Sequence, residues 1–105
     1  MREHQPIQFA ICNEIFQGWS LDKTFRYAAS IGYDAVEISP FTLAETVAEI
    51  SASQRKAIRE MAAQAGIKIS GIHWVLVKPS GLYINHPECS IRERTRDYFC
   101  NLVDF

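Results

Sequence analysis

The chain has 105 residues, 48% of them hydrophobic, and a formal net charge of −1, which is the length and balance of one modest globular domain. The near-neutral charge predicts no nucleic-acid partner, because phosphate backbones are bound by basic faces, and the sequence contains no run of the ~18 apolar residues that a membrane span needs. The 3 cysteines have no CxxC spacing and no apolar leader opens the chain, so we expect reduced thiols, no disulfide framework and a cytoplasmic protein.

The first predicted strand covers residues 7–13 and is followed directly by Glu14. Its residues alternate with period two, so the large apolar side chains share one face while small side chains and Glu14 share the other. Ser20 is a good N-cap residue. Apolar residues at helical spacing then predict a helix over residues 21–31, which Gly32 ends.

The second predicted strand covers residues 34–39, with Glu37 on the face opposite the large aliphatic side chains. Pro40 ends it, because proline cannot donate a hydrogen bond to a strand ladder. Ser51 opens a sequence with capping-box spacing, which predicts a second helix over residues 52–65.

The third predicted strand covers residues 67–74 and carries His73 near its carboxyl end. A long loop over residues 78–89 follows; loops of this length in compact domains are functional or disordered, and its apolar residues favour an ordered one. The third helix is predicted over residues 90–105. Gly71 is a candidate bulge.

A repeated pattern relates these units to one another. Residues 28–33 and 62–67 each place a small-residue helix end and a glycine before a strand. Three strand-then-helix units in series predict parallel strands with right-handed crossovers. Functional residues of such sheets lie at the carboxyl ends of the strands, where Glu14, Glu37 and His73 all fall.

The alternation also predicts which side chains of the third strand face the ligand side. It places Ile69, Gly71 and His73 on the same face as Glu37 and turns Trp74 toward the helices. We therefore interpret Trp74 as a packing residue rather than a sugar platform.

The ordered series of segments resembles a known family. Residues 10–16, 32–39 and 71–74 resemble the first three strands of the xylose-isomerase-like TIM barrels, in particular the sugar phosphate isomerase/epimerase group. The loop over residues 78–87 and the helix after it are similar to that group as well.

This resemblance implies an α/β fold in which residues 1–105 form a single partial barrel domain. A complete (β/α)8 barrel needs ~250 residues. We therefore expect the three consecutive parallel β/α units of this chain to form the first part of a TIM barrel and not the whole of it. The family binds a divalent metal through later strands, and two of the metal-binding carboxylates are its acid/base groups. We therefore expect Mn, Mg or Zn in the full-length family, but no metal site, no catalytic residue and no activity in this chain alone.

The resemblance implies roles for three residues, and the charge of Lys78 in the following loop adds a fourth candidate. Glu14, Glu37 and His73 match positions that hold the hydroxyls or carbonyl of a small-molecule sugar or sugar phosphate. Lys78 is a candidate for binding a phosphate or a carboxylate. Each of them has an ordinary alternative as a solvated, salt-bridged or packed residue. A zinc role for His73 also stays open, because the related apurinic endonucleases use a histidine near strand three as a zinc ligand.

Two other functions stay open. One is a freestanding small α/β module for binding or interaction, and the other is a fragment of an apurinic-endonuclease-like zinc nuclease, against which the near-neutral charge weighs. Three parallel strands leave an open sheet edge, so self-association through that edge is a further expectation.

Overall fold

The computed structural model describes residues 6–105 and shows an α/β fold with a parallel sheet. The predicted start of the domain at residue 1 lies outside the described residues. The sheet has the order β1-β2-β3, and its three strands are β1 (Ala10–Cys12), β2 (Ala35–Ile38) and β3 (Lys68–Ile72). The three helices are α1 (Leu21–Ser30), α2 (Ala52–Ala65) and α3 (Cys89–Asp104). The predicted order of three parallel β/α units is confirmed.

The two connecting helices begin and end where the local sequence predicts. The Ser20 side chain accepts a hydrogen bond from the amide of Lys23 at 3.2 Å and opens α1. Ser51 and Gln54 form both hydrogen bonds of the capping box that opens α2, at 2.8 and 3.2 Å. Gly66 ends α2 in the left-handed conformation, with φ of 72°, which glycine adopts without a steric penalty.

The strands are shorter than predicted, for reasons that lie in their neighbours. Before β1, the Phe9 amide donates to the Asp34 side chain at 2.8 Å. Ile7 is 80% exposed and belongs to neither hydrophobic cluster. After β3, the His73 amide still donates to the Ile38 carbonyl at 2.9 Å. The next residue, Trp74, has φ of 54°, and a left-handed residue cannot continue an extended strand.

The main core lies between one face of the sheet and the helices α1 and α2. Phe25, Ala28 and Val36 are fully buried there, and burial of a side chain such as phenylalanine or valine contributes roughly 1.5–3 kcal/mol. Tyr98 and Leu102 of α3 belong to a second cluster with residues 47 and 50. Helix α3 therefore packs on the segment after β2 and on residues that follow β3.

A register shift between β2 and β3 changes one predicted side-chain direction. Val36 pairs with Ile69, but Glu37 pairs with Gly71, so one residue of β3 is skipped. This irregularity confirms the candidate bulge at Gly71. Ile69 packs against the helix-side core with Val36, so its predicted position on the face of Glu37 is wrong. Since the bulge inserts one residue, the alternation of side chains is offset between Ile69 and Gly71.

The face of the sheet that carries Glu37 is open. Ala10, Gly71 and His73 are exposed on it, and both cores lie on the helix side. The radius of gyration is 15.9 Å, against about 13 Å for a compact domain of this length. Within residues 6–105, no helix is both long and apolar enough to cross a bilayer.

Candidate functional site

The carboxyl ends of β1 and β2 are joined by a buried polar network centred on Asn13. Its side-chain oxygen accepts from the Ser39 amide at 2.8 Å, and its side-chain nitrogen donates to the Thr42 hydroxyl at 2.9 Å. Cys12 Sγ lies 3.1 Å from Ser39 Oγ. Sequence reasoning missed these residues; the only signal was an amide side chain directly after a strand. The network fixes the loop after β1 against the loop after β2.

Glu37 and His73 come together on the open face, as the sequence predicts. Glu37 Oε1 lies 3.8 Å from His73 Nδ1, and the side chains are 38% and 46% exposed, respectively. Glu37 lies in β2 and His73 directly follows its parallel neighbour β3, and the hydrogen bond from the His73 amide to the Ile38 carbonyl fixes the backbone of the histidine. At this distance each side chain keeps hydrogen-bonding capacity for a third group, because heavy-atom hydrogen bonds are shorter, about 2.7–3.2 Å.

Trp74 adjoins this pair and does not pack as predicted. It is 53% exposed, and its ring meets the His73 ring nearly edge to face, with centroids 5.2 Å apart and an interplanar angle of 79°. More than half of its surface therefore remains accessible beside the Glu37–His73 pair.

Glu14 lies at the same edge but in a different depression. It belongs to a short 3-10 turn, Asn13–Ile15, and lines an open cleft of about 1060 Å³ between the loop after β1 and residues 41–43. Neither Glu37 nor His73 lines this cleft. Cys12 connects the two places, since it lines the cleft and pairs with Glu37 in the ladder. We centre the candidate site on the Glu37–His73 pair rather than on this cleft. The cleft has the greater volume, but the pair brings a carboxylate and an imidazole close together.

Lys78 forms an ion pair of its own with Glu45. Its ammonium group lies 3.3 Å from Glu45 Oε2, and the two side chains are about half exposed, at 46% and 56%. This ion pair joins the loop after β3 to the loop after β2. Exposed pairs of this kind contribute only about 0–1 kcal/mol, so Glu45 holds the Lys78 side chain weakly.

The donor set does not fit a divalent metal. Glu37 and His73 provide two donors, and no cluster of three or more His, Cys, Asp or Glu side chains suited to a metal exists within residues 6–105. Catalytic zinc sites use three protein ligands, and calcium or magnesium needs several oxygens. What these residues offer is an imidazole and a carboxylate, which accept and donate hydrogen bonds.

We compared the chain with protein-family models, with curated proteins and with solved structures, and found no match in any of the three.

Proposed function

We propose that the chain supplies three consecutive β/α units of a TIM-type barrel of the sugar phosphate isomerase/epimerase kind, in which Glu37 and His73 bind the sugar. The observation that carries this proposal is the position of the pair. A carboxylate and an imidazole stand 3.8 Å apart at the carboxyl ends of neighbouring parallel strands, which is where ligands bind in such sheets. The face of the sheet beneath them is open, with Ala10, Gly71 and His73 exposed, and it is the face that would line the inside of such a barrel.

The chemistry of the pair suits a polyhydroxylated ligand. The Glu37 carboxylate accepts hydrogen bonds from two neighbouring hydroxyls, and the His73 ring donates through one nitrogen and accepts through the other when neutral. Aldose–ketose isomerisation also needs a base beside the carbonyl and stabilisation of the developing oxyanion. This chain binds and orients the sugar, while those further groups come from other parts of the barrel.

The outer residues extend the site. Lys78 exchanges its Glu45 partner for the phosphate of a sugar phosphate, since ammonium groups bind phosphate as point charges. Glu14 lines the neighbouring cleft and contacts the far end of a longer ligand.

The test is a titration of the 105-residue chain with D-fructose 6-phosphate, followed by side-chain resonances. We expect a weak complex, with a dissociation constant of about 1 mM or higher, and shifts at the Glu37 carboxyl and the His73 ring. Glu37→Gln and His73→Gln each weaken binding. His86→Gln is the matched control, because His86 lies in the loop before α3, with its Nδ1 accepting from the Glu88 amide at 3.1 Å, and it leaves binding unchanged. Equal loss in all three variants, or no shift at Glu37 and His73, would refute the proposal.

Two further measurements separate the parts of the proposal. Lys78→Met weakens binding of D-fructose 6-phosphate but leaves binding of D-fructose unchanged, since the neutral sugar has no phosphate. The chain with added Mn²⁺ or Mg²⁺ shows no aldose–ketose turnover. Turnover by the 105 residues would contradict an incomplete barrel.

A second candidate is a freestanding α/β module for binding or interaction. It is favoured by the state of its buried polar groups: within residues 6–105, every buried side-chain nitrogen and oxygen has a hydrogen-bond partner, as in proteins that fold independently. Size-exclusion chromatography and thermal unfolding distinguish the candidates. A monomer with a sharp, cooperative transition supports the module, whereas self-association through the outer strands supports the barrel segment.

A further inference from the structure

Trp74 has a backbone conformation that its side chain disfavours. Its φ is 54°, in the left-handed region, and it is the one residue other than glycine with a positive φ within residues 6–105. A bulky residue there carries a steric penalty that glycine does not. Conformations of this kind persist only where the surrounding structure holds them, and they cluster at functional sites.

Packing does not account for a tryptophan at this position. The ring is 53% exposed, and its edge-to-face contact with His73 uses at most one of its two faces. The other tryptophan, Trp19, is 37% exposed, but Phe16 stacks on its ring with centroids 5.0 Å apart and the Lys23 ammonium lies 4.0 Å from its centroid. Within residues 6–105, the Trp74 ring meets no aromatic ring other than that of His73 and is more exposed than Trp19.

The geometry points to Trp74 as the wall on which a cyclic sugar stacks in the Glu37–His73 site. The C–H groups of one face of a pyranose or furanose are weakly positive, and the face of an aromatic ring is negative. The hydroxyls at the sugar's rim then meet the carboxylate and the imidazole. The left-handed conformation ends β3 and sets the indole beside His73. This inference rests on the proposed function and deepens it, because it assigns the site to ring-closed carbohydrates.

The first experiment uses Trp19→Phe, in which Trp74 is the single tryptophan and its fluorescence reports the site directly. D-fructose 6-phosphate, which forms a ring, should change the Trp74 emission with the same dissociation constant that the Glu37 and His73 resonances give. D-sorbitol 6-phosphate is the matched probe, because it carries the same phosphate and comparable hydroxyls but cannot close a ring. We expect D-sorbitol 6-phosphate to bind about five-fold more weakly, which is the middle of the range for one aromatic contact.

The second experiment uses Trp74→Gly, with Trp74→Leu beside it. Glycine removes both the ring and the steric penalty, so binding of D-fructose 6-phosphate should fall about five-fold while the unfolding temperature stays equal or rises. Leucine keeps the penalty and loses the ring, so binding falls equally without the gain in stability. A lower unfolding temperature in Trp74→Gly, with binding retained, would show a structural role and overturn the inference.

The outcomes distinguish this inference from the proposed function. Shifts at Glu37 and His73 without a change in Trp74 emission, or equal binding of the cyclic and acyclic probes, overturn the stacking role and leave the proposed function standing. Absence of any response at Glu37 and His73 overturns both. If Trp74→Gly does not fold, the fluorescence titration of Trp19→Phe still decides.

Discussion

Replacement of Asn13 by alanine tests whether the carboxyl edge is held together as the structure shows. The substitution leaves the Ser39 amide without its acceptor, and Ser39 is fully buried. A buried unsatisfied donor costs about 1–3 kcal/mol, and the lost hydrogen bond to Thr42 adds about 0.5–1.5 kcal/mol. We therefore expect Asn13→Ala to lower the free energy of unfolding by about 1.5–4.5 kcal/mol, the sum of the two ranges. For a domain of this size, the central value of about 3 kcal/mol corresponds to a fall in Tm of roughly 12–24 °C.

The assay is urea unfolding followed by far-ultraviolet circular dichroism, with thermal unfolding beside it. Asn13→Asp keeps an acceptor for the Ser39 amide, but it loses the donor to Thr42 and places a carboxylate in a site that is 7% exposed, so it should also lower the free energy of unfolding. Asn101→Ala is the matched control, because Asn101 is exposed on α3 and alanine favours a helix; its stability should stay equal or rise slightly. An Asn13→Ala variant within about 0.5 kcal/mol of the parent, the usual range for surface changes, would refute the buried network.

Three other substitutions test the rest of the fold. Phe25→Ala, at a fully buried position, should lower the free energy of unfolding by about 3–5 kcal/mol; a loss under about 1 kcal/mol in urea unfolding would contradict the core between α1, α2 and the sheet. Gly66→Ala forces an alanine to adopt φ of 72° with no neighbour for its Cβ. The free energy of unfolding should therefore fall by about 1 kcal/mol from the backbone alone. Gly71→Ala is the control and should show no such loss, because Gly71 has neither a positive φ nor a close neighbour. Thr95→Val removes the hydroxyl that accepts from the Tyr83 amide at 3.0 Å, so hydrogen exchange at Tyr83 should accelerate; unchanged exchange would mean that the long loop is not anchored to α3 through this contact.

The features that the sequence predicts correctly depend on neighbours along the chain. Period-two and helical spacing identify all three β/α units, and Ser20 and Ser51 mark helix starts because caps act over three residues. The Glu37–His73 pair follows from one general rule, that the carboxyl ends of parallel strands meet at one edge.

The features that it misses depend on contacts between distant residues. The sequence marks Gly71 as a candidate bulge, but it does not show that the shift reverses the side on which Ile69 packs; one skipped residue exchanges the two faces of a strand. Asn13 gives no sign of its role, since its partners Ser39 and Thr42 lie 26 and 29 residues further along the chain. The pairing of Lys78 with Glu45 is equally long-range.

The most direct test of the central claim is an isotope-filtered NOE spectrum of the labelled 105-residue chain with unlabelled D-fructose 6-phosphate. The account predicts cross-peaks from the carbon-bound protons of the sugar to the ring protons of His73 and to the side-chain CH₂ protons of Glu37. Cross-peaks to His86 in place of His73, or to neither residue at a saturating sugar concentration, would contradict it.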